Sequence, residues 1–289
     1  MTTPTTRRTT IGALALATGL AAATTLAPVQ ATAASRWAPA DEADIHPGVQ
    51  MYTDGAQCTA NFVFTDRERR VYVGYAAHCA GTGEATDTDG CQAASLPLGT
   101  RVRFAEGGSL ADGGETVGRG RLVYSSWLTM QRRGETDENT CAYNDLALVR
   151  VGRKFVDTVN PSVPFWGGPV GLDTDGSAAG DTVHSYGSSS LRGGVAELSP
   201  KQGVSLGQEG GGWSHPVYTA TPGVPGDSGS GFLDAEGNAL GTLSTLAVAP
   251  LAGSNGVGDL RHELRFARKH AGIPGLRLVR GTEEFRPAL

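Results

Sequence analysis

The sequence predicts an all-β protein: two small antiparallel β-barrels closed by one C-terminal helix. Three observations point there. Glycine is abundant, at 42 of 289 residues, and charged residues make up only 18%, a composition that suits short strands and tight turns. Short runs of β-branched and aromatic residues recur with turn residues between them. Only 259–270 has clear helical periodicity, with Leu260, Leu264 and Ala267 at i, i+4 and i+7, Asp259 at its start, and Gly272 then Pro274 beyond it.

Residues 1–33 read as a secretory signal peptide rather than fold material. Arg7 and Arg8 precede an uncharged run over 11–27, and Ala31-Thr32-Ala33 offers a cleavage site. The run is too short and too rich in Thr and Gly for a membrane span. The expected product is exported, extracellular and free of the membrane. Residues 34–47, with Pro39 and Pro47, read as an arm or short pro-segment.

The folded domain is expected over 48–272. Its first barrel, about 48–159, draws strands from 49–52, 58–64, 70–75, 101–104, 116–124 and 146–151, with a charged turn at 66–69 and a polar loop at 80–95. The Pro- and Gly-bearing stretch 160–176 joins the halves. The second barrel, about 177–258, draws on 181–186, 194–198, 217–221, 231–233 and 239–246. The helix closes the domain over 259–271, and 273–289 is a tail without a readable pattern.

The formal net charge is -5 and no stretch suggests a polybasic surface, which argues against nucleic acid as a partner. Four cysteines in an exported chain suggest two disulfides. Three pairings are possible. Cys58–Cys79 is favoured because it would staple the strand before His78 to the turn of His78, and Cys91–Cys141 is what remains. Each bridge would contribute roughly 2–4 kcal/mol. No zinc-type spacing occurs, and neither metal nor cofactor is expected.

Three segments carry chemistry, in the order His, Asp, Ser. His78 follows a strand and sits between alanines and a cysteine. Asp145 stands at the mouth of the apolar run 146–149. Ser228 lies in Gly226-Asp227-Ser228-Gly229-Ser230-Gly231. A serine hydroxyl needs an imidazole as base and a carboxylate to orient it. In so tight a turn the backbone N–H groups of Gly226 and Ser228 can converge on one point, as an oxyanion hole requires.

Taken together, these segments resemble those of chymotrypsin-like (trypsin-fold) serine proteases, especially secreted bacterial members, over 48 to about 271. The resemblance implies two six-stranded barrels with the triad between them, Ser228 as nucleophile, His78 as general base and Asp145 as its orienting group. It gives Ser244 the role of aligning substrate and holding the Asp, and makes Gly256 a wall of the specificity pocket. It implies protein or peptide substrates, a protein protease inhibitor as a candidate partner, a monomer and no cofactor. Asp227, which pairs with a freshly cut N-terminus in animal members, has no evident partner here. A trypsin-like acid is absent from 219–225, and Leu243 rather than His precedes Ser244, so a small or apolar side chain is expected before the scissile bond. Two other readings share these residues: an esterase or amidase with the same triad, and an inactive binding protein on a protease fold.

The remaining candidates take plainer readings. His46, His184, His215, His262 and His270 lack ligand spacing, and Trp127, Trp166 and Trp213 read as packing residues. Asp87 and Asp89 resemble a solvated acidic loop more than a calcium site.

Overall fold

A computed structural model describes residues 1–4, 36–83, 88–246 and 253–287. The chain divides into Met1–Ala34 and Ser35–Leu289. Of the first unit only residues 1–4 are described, so the expected leader lies almost wholly outside the described residues. No described helix is long and apolar enough to cross a membrane.

The second unit is mostly β. Its strands are β1 (Gln50–Thr53), β2 (Ala56–Thr59), β3 (Val63–Thr65), β4 (Val71–Ala76), β5 (Arg101–Glu106), β6 (Glu115–Ser125), β7 (Leu146–Val151), β8 (Ala179–Tyr186), β9 (Pro200–Leu206), β10 (Ser214–Thr219), β11 (Gly231–Leu233), β12 (Ala239–Leu246), β13 (Asn255–Asp259) and β14 (Arg277–Leu278). Its helices are α1 (Ser126–Arg133), α2 (Glu138–Tyr143) and α3 (Leu260–His270).

The second half closes as a six-stranded barrel in the order β10-β13-β12-β11-β8-β9. The first half is an antiparallel sheet of eight strands, β14-β3-β4-β7-β6-β5-β1-β2. Two features raise its strand count. The run 58–64 breaks into β2 and β3, with Asn61 turned to accept the N–H of Phe62. The tail contributes β14, whose Arg277 and Leu278 pair with Thr65 and Phe64; two residues carry no periodicity to read.

The expected strand at 194–198 is instead a turn ending in a 3-10 segment at Ala196–Leu198, and the strand follows as β9. Pro200 and Gly203 disguise β9 as a loop. Gly203 is needed there: a Cβ would strike the backbone of Tyr218 and Thr219 on β10. β13, rich in glycine, is hidden for the same reason. Two short helices also escaped the pattern. In α1 the Ser125 side chain accepts the Leu128 N–H, and Gly134 at φ +65 ends it.

Helix α3 forms where the periodicity places it. Asp259 caps it by accepting the His262 N–H, and Leu260, Leu264 and Ala267 are buried against Phe62, Leu146 and Leu148 in one apolar cluster. Burying such side chains stabilises by about 1.5–3 kcal/mol each. Val183, Val217, Phe232, Leu240, Leu243 and Val257 fill the second barrel. Disulfides join Cys58 to Cys79 and Cys91 to Cys141.

Candidate active site

The register of β4 and β7 decides where the first two site residues meet. Ala76, the last residue of β4, pairs with Leu146, the first of β7. The chain beyond β4 and the chain before β7 therefore leave the sheet side by side. A 3-10 turn, Ala77–Ala80, follows β4, and the Ala77 N–H donates to the Asp145 carbonyl at 2.7 Å. Ala76 and Ala77 are fully buried, so their small size lets the turn sit this close.

Asp145 then holds His78 twice. Its Oδ1 accepts the His78 backbone N–H at 2.8 Å and its Oδ2 lies 2.6 Å from His78 Nδ1. Ser244 Oγ donates to the same Oδ2 at 2.6 Å. With Nδ1–H directed at the carboxylate, Nε2 is the ring nitrogen left to accept a proton. Burial alone would lower the His78 pKa, but the charge and hydrogen bond of Asp145 outweigh it, and the net direction is up. Behind Asp145 stands Glu263 of α3, fully buried, whose Oε1 accepts the Asp145 N–H at 3.1 Å and whose Oε2 accepts from Thr242 Oγ1 at 2.8 Å. Burial raises the Glu263 pKa well above the ordinary carboxyl range. The sequence offered a cue to Glu263 only in its place one residue before Leu264 on the buried face of the helix.

Ser228 lies in a turn pinned from all sides. Asp227 N–H donates to Val224 O, Ser230 N–H to Asp227 O, Gly229 N–H to Leu243 O and Thr59 N–H to Ser228 O, all within 2.7–3.0 Å. Gly226 and Gly229 have φ of +96 and +88, backbone that favours glycine. A Cβ on Gly226 would collide with Gln57 Oε1, and one on Gly229 would lie 2.6 Å from the Thr59 carbonyl oxygen.

The two N–H groups expected to converge are set by the peptide planes. Ser189 Oγ donates to the Pro225 carbonyl at 2.6 Å, and a trans peptide turns the Gly226 N–H the opposite way. The Asp227 carbonyl accepts from Ser230, which turns the Ser228 N–H likewise. Among the described residues neither N–H has a protein acceptor. Ser189 and Gln57, which donates to the Gly226 carbonyl at 3.0 Å, had no signal in the sequence; both sit in polar Ser- and Gln-bearing stretches indistinguishable from loops.

The unassigned partner of Asp227 is internal. Its carboxylate, fully buried, lies 2.6 Å from Arg192 Nη2 and 3.1 Å from Lys201 Nζ. It also accepts the N–H groups of Ser189 at 3.0 Å and Val224 at 3.1 Å. Burial pushes the Lys201 pKa below the usual lysine range, against the attraction of Asp227.

His78, Asp145, Gly226, Ser228 and Ser244 line one cleft of about 560 Å³, with Trp127 as a further wall. Asn255, rather than Gly256, faces it; Gly256 lines the adjoining hollow with Ser244 and Thr245, as alternation along β13 requires. Asn255 ties two walls together, accepting the Gly223 N–H at 2.8 Å and donating to Thr245 O at 3.2 Å.

The other histidines have structural partners: His46 lies beside Pro47 O and Glu106, and His270 against Phe266. His184 is buried edge-on against Trp166 and Phe285, and His215 and His262 both bond Asp259. Asp89 accepts the N–H of Cys91, whereas Asp87 lies outside the described residues. Among the described residues two groups of His, Cys and acidic side chains lie close together, Cys58–His78–Cys79 and Asp89–Cys91–Cys141, but their cysteines are spent in disulfides and offer no thiolate.

No family model and no curated protein matches this chain. Among solved structures it is similar to Thermobifida fusca protease A, with 16% identity over 82% of this chain and 99% of that one at a TM-score of 0.49. It is also similar to Nocardiopsis protease, with 19% identity over 81% and 98% at 0.45, and to Cellulomonas bogoriensis chymotrypsin, with 17% identity over 81% and 98% at 0.47.

Proposed function

We propose that this chain is a secreted serine endopeptidase that cleaves peptide bonds through an acyl-enzyme on Ser228. The observation that carries the reading is the 2.6 Å contact of His78 Nδ1 with Asp145 Oδ2 in the cleft that Ser228 also lines, beside two N–H groups that have no protein acceptor among the described residues.

In the first step Ser228 Oγ attacks the scissile carbonyl carbon and His78 Nε2 takes the hydroxyl proton. Asp145 stabilises the resulting imidazolium. The carbonyl oxygen gains charge and is stabilised by the N–H groups of Gly226 and Ser228. As the C–N bond breaks, the leaving amine receives the proton from Nε2. Water then repeats the sequence on the ester, releasing the acid and restoring Ser228. Asp227 already has cationic partners in the half-buried Arg192 and the buried Lys201, so no freshly cut terminus is needed to order the turn; the chain is active once exported, or after trimming within 34–47. Among the described residues, His78 and Asp145 are the only charged or titrating side chains lining the cleft, which supports a small or apolar side chain before the scissile bond. Proteins and peptides are the substrates, and a protein inhibitor would occupy the same cleft.

The test uses the purified exported protein. A fluorophosphonate probe should label Ser228, and the protein should digest an unfolded protein substrate. Folded protein that takes no label and digests nothing would refute the reading. The pH profile adds a second check. His78 must be neutral to accept a proton, and its pKa is shifted upward from 6.5, so the acid limb of kcat/KM should fall above the ordinary histidine range. A limb below 6.5 would contradict the Asp145 coupling.

Gly226→Ala should lower kcat by about 10²–10³-fold with KM little changed. The added Cβ meets Gln57 and swings the N–H away from the oxyanion. Steady-state kinetics on a short peptide amide check this, and an unchanged kcat would remove Gly226 from the oxyanion hole.

A further inference from the structure

A larger concavity than the cleft, of about 820 Å³, lies on the first sheet, and its walls carry seven arginines and one lysine against two acids, Glu68 and Asp157. The net charge of -5 conceals it. Strand register assembles the arginines: Arg101 on β5 stands directly opposite Arg121 on β6, which stands opposite Arg150 on β7. Directly opposed side chains share a face, with Cβ atoms about 4.5–5.5 Å apart, and like charges so placed are destabilising. All three are exposed. Among the described residues, Arg70 is the one cation of the groove with an ion-pair partner, binding Asp66 and Glu68. Among the described residues none of the three has a carboxylate partner; Arg121 Nη1 donates to the neutral Gly99 carbonyl at 2.9 Å, and the like charges across adjacent strands oppose one another.

We propose that this groove is a docking site for an acidic polypeptide segment with interspersed apolar side chains. Guanidinium forks pair bidentately with carboxylates, and the row presents one cation per strand. The apolar part of the lining that a ligand can reach is the half-buried Phe155 and Val156, with Val71 and Val151 buried in the core behind them, and it takes apolar side chains that a glycan or polyphosphate lacks. Among the described residues the groove has one aromatic ring, Phe155, with Lys154 Nζ 4.7 Å from its centroid, so it lacks the succession of aromatic rings on which the bases of a bound strand stack.

The site is separate from the cleft. β4 and β7 each run six residues from the groove, at Val71 and Val151, to the cleft, at His78 and Asp145. At about 3.3 Å per residue that is roughly 20 Å, so an occupied groove leaves the cleft open. The proposal does not depend on the catalytic reading, because binding is its readout.

The experiment measures fluorescence anisotropy of a labelled peptide of Glu residues interrupted by Phe, added to full-length Ser228→Ala protein so that the probe is not consumed. Saturable binding is expected, weakening as salt shortens the screening length. Neutralising the row in Arg101→Gln/Arg121→Gln/Arg150→Gln should weaken binding about tenfold or more, and Arg153→Gln/Lys154→Gln, off the strands, should weaken it several-fold. An all-Glu peptide without Phe should bind several-fold more weakly. The triple variant should melt no lower than its parent, because like-charge repulsion is relieved. Three results would overturn the proposal. One is no binding of the Glu/Phe peptide. Another is heparin or a single-stranded oligonucleotide binding the groove without being displaced by that peptide. The third is a triple variant that melts well below its parent, which would make the arginines part of the fold.

Discussion

Ser228→Ala is expected to reduce kcat on a peptide amide by about 10⁶-fold, His78→Ala by a similar factor, and the double variant by no more than either alone. The reason is in the geometry. The hydroxyl is a nucleophile only while Nε2 takes its proton, so removing either partner removes the same step. What remains comes from Gly226, Ser228 N–H and the cleft walls, which persist in each variant. Asp145→Asn should cost about 10⁴-fold. An amide at Oδ2 can donate to Nδ1 and so favour the wrong tautomer, and it breaks the acceptor shared by His78 and Ser244 Oγ. Single-turnover kinetics with an activated ester separate acylation from binding. Multiplicative losses in the double variant would mean that Ser228 and His78 do not act on one proton.

The second large effect is on stability. Asp227→Ala is expected to destabilise the protein by about 3–5 kcal/mol, the usual cost of stripping one partner from a buried ion pair. Two cations, Arg192 and Lys201, are left facing an alanine. Activity should fall as well, because Asp227 holds the Ser189 N–H and Ser189 orients the peptide whose N–H serves the oxyanion. The pH dependence has a definite sign. Burial already holds the Lys201 pKa below the usual lysine range, and the negative charge of Asp227 opposes that shift. Without Asp227, the folded state releases this proton at lower pH while the unfolded state keeps it to the ordinary lysine pKa. Folding then improves as pH rises through the folded-state pKa. Thermal melts of parent and variant at neutral and alkaline pH check this. A deficit that stays constant or widens with pH would show that Lys201 does not carry the penalty.

The residues whose local sequence dictates their backbone were legible from the start. Gly226 and Gly229 frame Ser228 because the turn needs positive φ, and α3 declares itself by period and cap. Asp145 and His78 could be placed in one site through their order along the chain and the strands beside them. What stayed hidden depends on pairing between distant segments. Arg192 and Lys201 reach Asp227 from 35 and 26 residues away along the chain, and nothing local marks them as its partners. β9 and β13 were obscured because close strand approach selects glycine at Gly203, and glycine reads as turn. The arginine row is the clearest case. Each Arg alternates with small or apolar neighbours as any exposed strand residue would, and only the registers of β5, β6 and β7 reveal that they stand in line.

One connection bears on how the chain is made. β3, the first strand of the hairpin whose second strand, β4, leads to His78, obtains its outer neighbour from β14, more than two hundred residues later. Gly168 N–H then donates to Glu283 O, and Gly281 and Arg286 N–H donate to Pro169 O and Trp166 O, so the same segment fastens the link between the halves. Such a closure has high contact order and is slow. Until residues 277–278 arrive, a nascent chain carries an open strand edge at β3, ready to pair with another copy. The exposure of that edge before folding is complete is therefore set by β14, the partner that covers it, whereas the second barrel closes within its own strands.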